Sequence, residues 1–196
     1  MGERPTLVVV GAGIAGLTTA LAASRGAFDV VICERTAELS EIGAGIQLSP
    51  NAGRVLADLG LEPAIAAVAI EPRAIEVMSG ESGASLLAIP TARFRERYGF
   101  PYRVIHRADL QRVLAAAAAK ATGVRLLLGT TIDDVLPRGG DLFVKLKGQR
   151  AEVVHAAAIV GADGVWSETR TRIPGAAEPR PSGRTAWRTV VPVDNV

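Results

Sequence analysis

Three glycines in the segment Gly11-Ala12-Gly13-Ile14-Ala15-Gly16 follow the apolar run Thr6 to Val10, and a second apolar run, Asp29 to Cys33, ends on Glu34. Glycine at this spacing suits a strand that turns sharply into a helix. Gly11 permits the turn, Gly13 leaves room for the backbone to approach a pyrophosphate, and Gly16 lets the helix lie close to the sheet. The amides of the first helical turn, oriented by the helix dipole, then face an anion. Glu34, at the end of the next strand, can accept both hydroxyls of an adenosine ribose and would repel a 2′-phosphate. That points to NAD or FAD and disfavours NADP at this site. A glycine triplet alone also serves ordinary turns. Here the strand before it, the apolar helix after it and the acid beyond it agree on a dinucleotide binder, with Gly11, Gly13, Ile14, Ala15 and Gly16 at the phosphates.

The elements that must position these groups can be followed along the chain. Thr6 to Glu34 forms a β-α-β unit, with Gly26 closing the helix before Phe28. Leu39 to Leu48, which holds Gly43-Ala44-Gly45, is expected to loop over the nucleotide. Ser49 caps a helix with Pro50 at its first position, Val55, Leu56 and Leu59 on its apolar side and Gly60 as its stop. From Ala74 to Pro90 short strand-like pieces flank Ser79-Gly80-Glu81-Ser82-Gly83, a hairpin that departs into another sheet or domain. His106-Arg107-Ala108-Asp109-Leu110 opens an alanine-rich helix to about Ala121, and Gly123 ends it. Val124 to Leu128 is a strand, and Thr131 to Leu136, Asp141 to Lys147 and Ala151 to Val154 resemble a β-meander. Ala157 to Val160 is a strand running into Gly161-Ala162-Asp163-Gly164. After a stretch that Ser167 can open as a helix and the Pro- and Gly-rich segment Pro174 to Gly183, the pattern predicts a last strand, Thr185 to Val191.

Composition narrows the function classes. The 196 residues are 48% hydrophobic and 21% charged, with a formal charge of +2, which describes a globular chain of one domain with part of a second. Arg93, Arg95, Arg97, Arg103 and Arg107 cluster in one stretch but lack basic helical periodicity. They read as a solvated face with a few cofactor contacts, not as a nucleic-acid interface. The single cysteine, Cys33, has no internal disulfide partner and reads as a small buried side chain. Ile14 to Ala23 is interrupted by threonines and soon reaches Arg25 and Gly26, too short for a membrane span, and without a secretory pattern the default residence is cytoplasmic. No metal-ligand spacing and no Gly-x-Ser-x-Gly nucleophile element occurs, so no metal is expected.

Four segments in order carry a family resemblance: Gly11 to Leu17, Gly43-Ala44-Gly45-Ile46-Gln47-Leu48-Ser49-Pro50-Asn51-Ala52, His106 to Leu110, and Val160-Gly161-Ala162-Asp163-Gly164-Val165-Trp166-Ser167-Glu168-Thr169-Arg170. Over nearly its whole length the chain resembles the N-terminal portion of the FAD-dependent aromatic hydroxylases, the single-component flavoprotein monooxygenases that include salicylate hydroxylase. The last segment looks like that family's Asp-Gly motif and is more specific than the first. The family's later Gly-Asp motif and the rest of its substrate domain are not found, so the expectation is a fragment holding about the first half of the usual enzyme.

The resemblance implies an α/β fold: a Rossmann-like FAD-binding domain with a β-meander and the beginning of a β-rich substrate domain. The expected parts are residues 1–73 and 101–178 for FAD binding, 74–100 as a substrate-domain excursion, and 179–196 as the start of that domain. It implies that Glu34 binds the ribose, Arg35 lies at the adenine end, Arg107 reaches the flavin side of the pyrophosphate, and Asp163 and Gly164 sit near the pyrophosphate. It further implies hydroxylation of a phenolic or aromatic-acid substrate with O2, with NADH or NADPH as transient electron donor. The chain alone is expected to be inactive. The alternatives are an NAD-dependent dehydrogenase and a noncatalytic nucleotide-binding fragment. Apolar surface left uncovered would favour association, so a homodimer is a further expectation.

The residues themselves bear on these roles. A cation that begins a helix opposes its dipole, so a nearby anion would explain Arg107, against the plain alternative of a surface arginine. Asp163 cannot attract phosphate directly; it would act by ordering backbone donors, water or an arginine, or else serve only as a turn or cap residue. Gln47 and Asn51 carry amides for a flavin or substrate, with cap and solvent roles open. His106 reads as a turn residue and His155 has no obvious partner. Trp187 and Arg188 on the last strand either border the substrate or serve as core packing and a salt bridge.

Overall fold

The computed structural model describes residues 4–39, 44–173 and 175–187. β1 (Thr6–Val10) is an aliphatic run with a buried centre. It ends at Gly11, whose φ of 100° is a left-handed value that side chains disfavour. α1 (Ile14–Arg25) follows and stops at Gly26, whose amide bonds the carbonyl of Ala23. β2 (Asp29–Cys33) returns parallel to β1, with Val8 beside Val31 and Val10 beside Cys33.

Next come β3 (Gly45–Leu48), α2 (Pro50–Asp58), α3 (Glu62–Ala66), β4 (Ala74–Met78), β5 (Ser85–Pro90), α4 (Ala92–Tyr98), β6 (Arg103–His106) and α5 (Arg107–Lys120). The chain then continues through β7 (Val124–Leu127), β8 (Thr130–Arg138), β9 (Asp141–Gly148), β10 (Val153–Ala156), β11 (Ala158–Gly161) and α6 (Glu168–Thr171). The described residues form two compact units, one of 4–39, 114–173 and 175–187, the other of 44–113.

In the first unit a four-stranded parallel sheet has the order β11-β1-β2-β7, and a meander has the order β10-β9-β8. Side chains alternate across a strand. Val8, Val31, Cys33 and Leu127 therefore share one face and pack against Ile132, Val144, Leu146, Val154 and Ala156 of the meander. Val9 and Ile32 point to the other face, on which α1 packs through Leu17 and Ala20. Each fully buried valine, leucine or isoleucine among them contributes roughly 1.5–3 kcal/mol of transfer free energy. Burial on both faces explains why these strands read as continuous apolar runs.

The second unit contains two antiparallel pairs, β3 with β6 and β4 with β5. The β4–β5 hairpin is the predicted excursion around Ser79 to Gly83. Its cross-strand pairs Ile75–Ile89 and Val77–Leu87 lie on one face.

Several expectations need correction. Leu39 to Leu48 is not all loop: Gly45–Leu48 is strand β3, with Ile46 opposite Ile105. Ser49 occupies the cap position of α2, but its hydroxyl makes no cap bond and meets Asn51 Oδ1 at 2.5 Å. The third meander strand lies two residues later than expected at its start, at Val153–Ala156. Thr185 to Trp187 form no strand, and the remainder of the predicted last strand, with Arg188, lies outside the described residues, as does Gly43. Trp187 is 94% exposed, which removes its core-packing role among the described residues.

The arginine stretch is also not uniformly solvated. The Arg103 side chain is only 8% exposed and forms a bidentate pair with Glu62 at 2.7 and 2.9 Å, while its Nε donates to Glu71 at 3.2 Å. The hydrogen bond from Arg103 is the main reason the Glu62 carboxyl is held below the ordinary carboxylate range, against a smaller opposing effect of burial. His155 likewise has a partner, Asp141 Oδ2 at 3.1 Å, and its ring lies 5.1 Å from that of Phe143.

Candidate functional site

The first loop is built by close backbone approach. A methyl group on Gly16 would lie 1.8 Å from the carbonyl oxygen of Gly11, and one on Gly11 would lie 2.6 Å from that of Ala162. Thus α1 is seated against its own entry turn and against the loop after β11, which refines the expected helix-to-sheet approach. Backbone bonds hold the three strand ends side by side: Gly11 N donates to Cys33 O at 2.7 Å and Ala162 N to Val10 O at 2.8 Å.

Gly13 is different. It is the cap of α1, in extended conformation, and a methyl there would meet nothing within 4 Å. Among the described residues no side chain caps the helix, and its first turn carries no acid. Helix N-termini need partners for their leading amides and favour negative charge. A diphosphate fits this end on both counts, and Ile14, Ala15 and Gly16 supply the first turn.

Glu34 lies at the mouth of the same loop. Its Oε2 accepts the Ala12 amide at 2.8 Å, and its Oε1 accepts both the amide and the hydroxyl of Thr36 at 3.0 Å. The carboxylate thereby joins the loops after β1 and β2. Arg35, the next residue, is exposed. Cys33, one residue before, is 1% exposed, and burial above all, with Glu152 adding to it, pushes its thiol up to about 11. It is packing, not a nucleophile.

Asp163 is arranged otherwise. Its Oδ1 accepts the Ser167 hydroxyl at 2.5 Å, and its Oδ2 accepts the amide and hydroxyl of Thr169, both at 3.0 Å. Ser167 in turn caps α6 by accepting the Arg170 amide at 2.9 Å. Partial burial pushes the Asp163 carboxyl up, but the bonds from Ser167, Thr169 and its own amide outweigh that and hold it below the usual range. Gly164 follows with a φ of 81°, exposed.

Gln47 and Arg107 belong to the second unit. Gln47 is exposed on β3 opposite Val104, and the Arg107 amide donates to Ala44 O at 3.3 Å at the start of α5. His106 Nδ1 accepts the Ala108 amide at 3.3 Å, which makes it a cap of that helix. Sequence reasoning singled out the two acids of the first unit but missed Thr36 and Thr169, which hold them. A threonine or serine a few residues beyond an acid is the available signal, a weak one. Among the described residues no group of three His, Cys, Asp or Glu side chains is placed to hold a metal, and no helix is long and apolar enough to cross a membrane.

A family model described as FAD binding domain matches residues 4–193. This chain belongs to that FAD-binding family. It is 35% identical to 3-hydroxybenzoate 6-hydroxylase 1 of Aquipseudomonas alcaligenes, over 97% of this chain and 48% of that protein. It is 39% identical to 3-amino-4-hydroxybenzoate 2-monooxygenase of Streptomyces cremeus, over 97% of this chain and 47% of that protein. The chain thus spans about half the length of these relatives. Among solved structures, 2-methyl-3-hydroxypyridine-5-carboxylic acid oxygenase shares 32% identity and a TM-score of 0.68, over 85% of this chain and 41% of that one. The fold also matches CtdE, solved with FAD and a substrate, at a TM-score of 0.78 and 24% identity, over 92% of this chain and 43% of that one.

Proposed function

We propose that this chain holds the ADP portion of FAD, and that the protein carrying it is a flavin monooxygenase that hydroxylates a phenolic or aromatic-acid substrate. The observation that carries the reading is the first loop: a helix end capped by a bare glycine, with no acid of its own, beside the Glu34 carboxylate 2.8 Å from the Ala12 amide. In this reading the leading amides of α1 take the diphosphate and Glu34 takes the ribose. Arg35 attends the adenine end, and Asp163 and Gly164 shape the neighbouring turn. Arg107 and Gln47 serve the flavin side. Bound flavin supplies electron transfer from NADH or NADPH and the activation of O2. The overall conversion takes Ar–H, NAD(P)H, H⁺ and O2 to Ar–OH, NAD(P)⁺ and water.

The substrate class follows from the hydroxybenzoates named for the two relatives. The dehydrogenase alternative is disfavoured because β2 is followed by a separate unit of short antiparallel pairs and not by a third β-α repeat of the parallel sheet. Self-association is part of the same proposal: Val77, Met78, Leu86 and Leu87 are all exposed on the hairpin, and sedimentation checks it.

The test uses a protein of the relatives' full length, reconstituted with FAD. Hydroxybenzoates are expected to accelerate its NADH or NADPH oxidation and to yield a hydroxylated product. A broad panel of phenols and aromatic acids giving no product with either donor overturns the reading.

A further inference from the structure

We propose that Thr36 is a positioning residue for nucleotide binding, holding the Glu34 carboxylate so that Oε2 is the oxygen left to receive the sugar. The inference rests on the assignment of Glu34 to the ribose. A carboxylate has about four acceptor positions. Both positions of Oε1 are taken by Thr36, through its amide and its hydroxyl at 3.0 Å each, whereas among the described residues Oε2 accepts only the Ala12 amide. Among the described residues one position on Oε2 remains, so the clamp takes one ribose hydroxyl and not the two expected from the sequence.

The hydroxyl is delivered from a fixed support. Thr36 O accepts the Gly129 amide at 2.8 Å, the Glu34 amide donates to Leu127 O at 2.9 Å, and the Thr130 amide donates to Glu34 O at 2.8 Å. Thr130 is 1% exposed, and its own hydroxyl bonds Leu128 O at 2.9 Å. The segment from Glu34 to Thr36 is therefore stitched to the half-buried turn between β7 and β8, flanked by the buried Leu127 and Thr130. Threonine, branched at Cβ, adds a stiff χ1. A free glutamate side chain at an exposed loop would instead spread over several rotamers and lose that freedom on binding. The turn that leads into the meander thus acts as the footing of the ribose clamp.

The test is calorimetric titration of the 196-residue chain with ADP and with 2′,3′-dideoxy-ADP. Wild type is expected to bind ADP more tightly than the dideoxy probe. Thr36→Val, which keeps shape and loses the hydroxyl, is expected to bind ADP roughly three- to tenfold more weakly, the scale of one hydrogen bond to a charged group. It should leave affinity for the dideoxy probe unchanged, and Thr36→Ser should restore ADP binding. Thr36→Ala makes the same comparison if the valine variant does not fold. Equal weakening of both probes, no weakening of either, or a serine variant as weak as valine overturns the role of Thr36. Wild type that binds the two probes equally, or binds neither, overturns the ribose assignment and the proposal with it.

Discussion

The loops after β2 and β11 each present a carboxylate that accepts a threonine amide and the same threonine's hydroxyl, yet the two are used differently. Glu34 reaches back 22 residues to Ala12 and ties two loops together. Among the described residues the Asp163 carboxylate bonds Ser167 and Thr169, four and six positions ahead, and its own amide, so both its oxygens are engaged in shaping its own turn. A carboxylate that bridges neighbouring loops depends on the sheet order that sets them side by side. One engaged locally acts on any ligand only through the shape of its loop. The same contrast separates Gly16 from Gly13, one crowded by backbone and the other facing open space.

The sharpest way to break this comparison is at the glycines. By helix propensity Gly16→Ala should stabilise α1 by about 1 kcal/mol. A methyl 1.8 Å from a backbone oxygen cannot be accommodated without moving the turn, so the clash wins. A net loss of roughly 3 kcal/mol is expected by urea denaturation, the upper range for overpacking. Gly13→Ala is expected to change stability by no more than about 0.5 kcal/mol while lowering nucleotide affinity. If the two variants lose stability equally, the distinction between packing glycine and binding glycine fails.

Glu34→Ala is expected to weaken FAD binding roughly tenfold, the scale of one or two bonds to a charged group. Unchanged affinity in a fluorescence titration refutes the ribose assignment. Asp163→Ala is expected to cost about 1–2 kcal/mol, as a lost cap does, with faster amide exchange at Thr169. The pH dependence has a definite sign. The folded carboxyl of Asp163 sits below its ordinary value, so its stabilisation is complete above about pH 4, the unfolded range, and is lost as pH falls through the depressed folded value. The wild-type chain should therefore lose more stability than Asp163→Ala on acidification below pH 4. The smallest effect is at Cys33: with its thiol pushed up to about 11 and its side chain buried, the native chain should resist alkylation at pH 8 and react only when unfolded in urea. Rapid native labelling would place it nearer the surface than its packing indicates.

Much of the first unit is legible in the amino-acid sequence. β1, α1, β2, β7, the meander and β11 follow from long apolar runs, alternation and glycine stops, signals with several residues behind each. β3 and β6 escape the sequence because Gln47 interrupts the first and Arg103 and His106 bound the second, leaving no apolar run to mark either, and each is recognisable only as the other's partner. The burial of Arg103 could not be read either. Its acceptors Glu62 and Glu71 lie 41 and 32 positions away, and an arginine among exposed arginines carries no mark of an ion pair. His155 gained Asp141 for the same reason: β10 lies against β9, with His155 opposite Phe143.

Local chemistry by itself determined the parallel β-α-β frame, the bend at Gly11 and the acid at the end of β2, because backbone conformation and burial on both faces restrict residue type within a few positions. Only the tertiary structure decided what each acid does. Hydrogen-bond partners come from whichever strand ends the sheet order sets side by side, and so Thr36, resting on the β7–β8 turn, holds Glu34 against Ala12 while Asp163 is used up within its own loop.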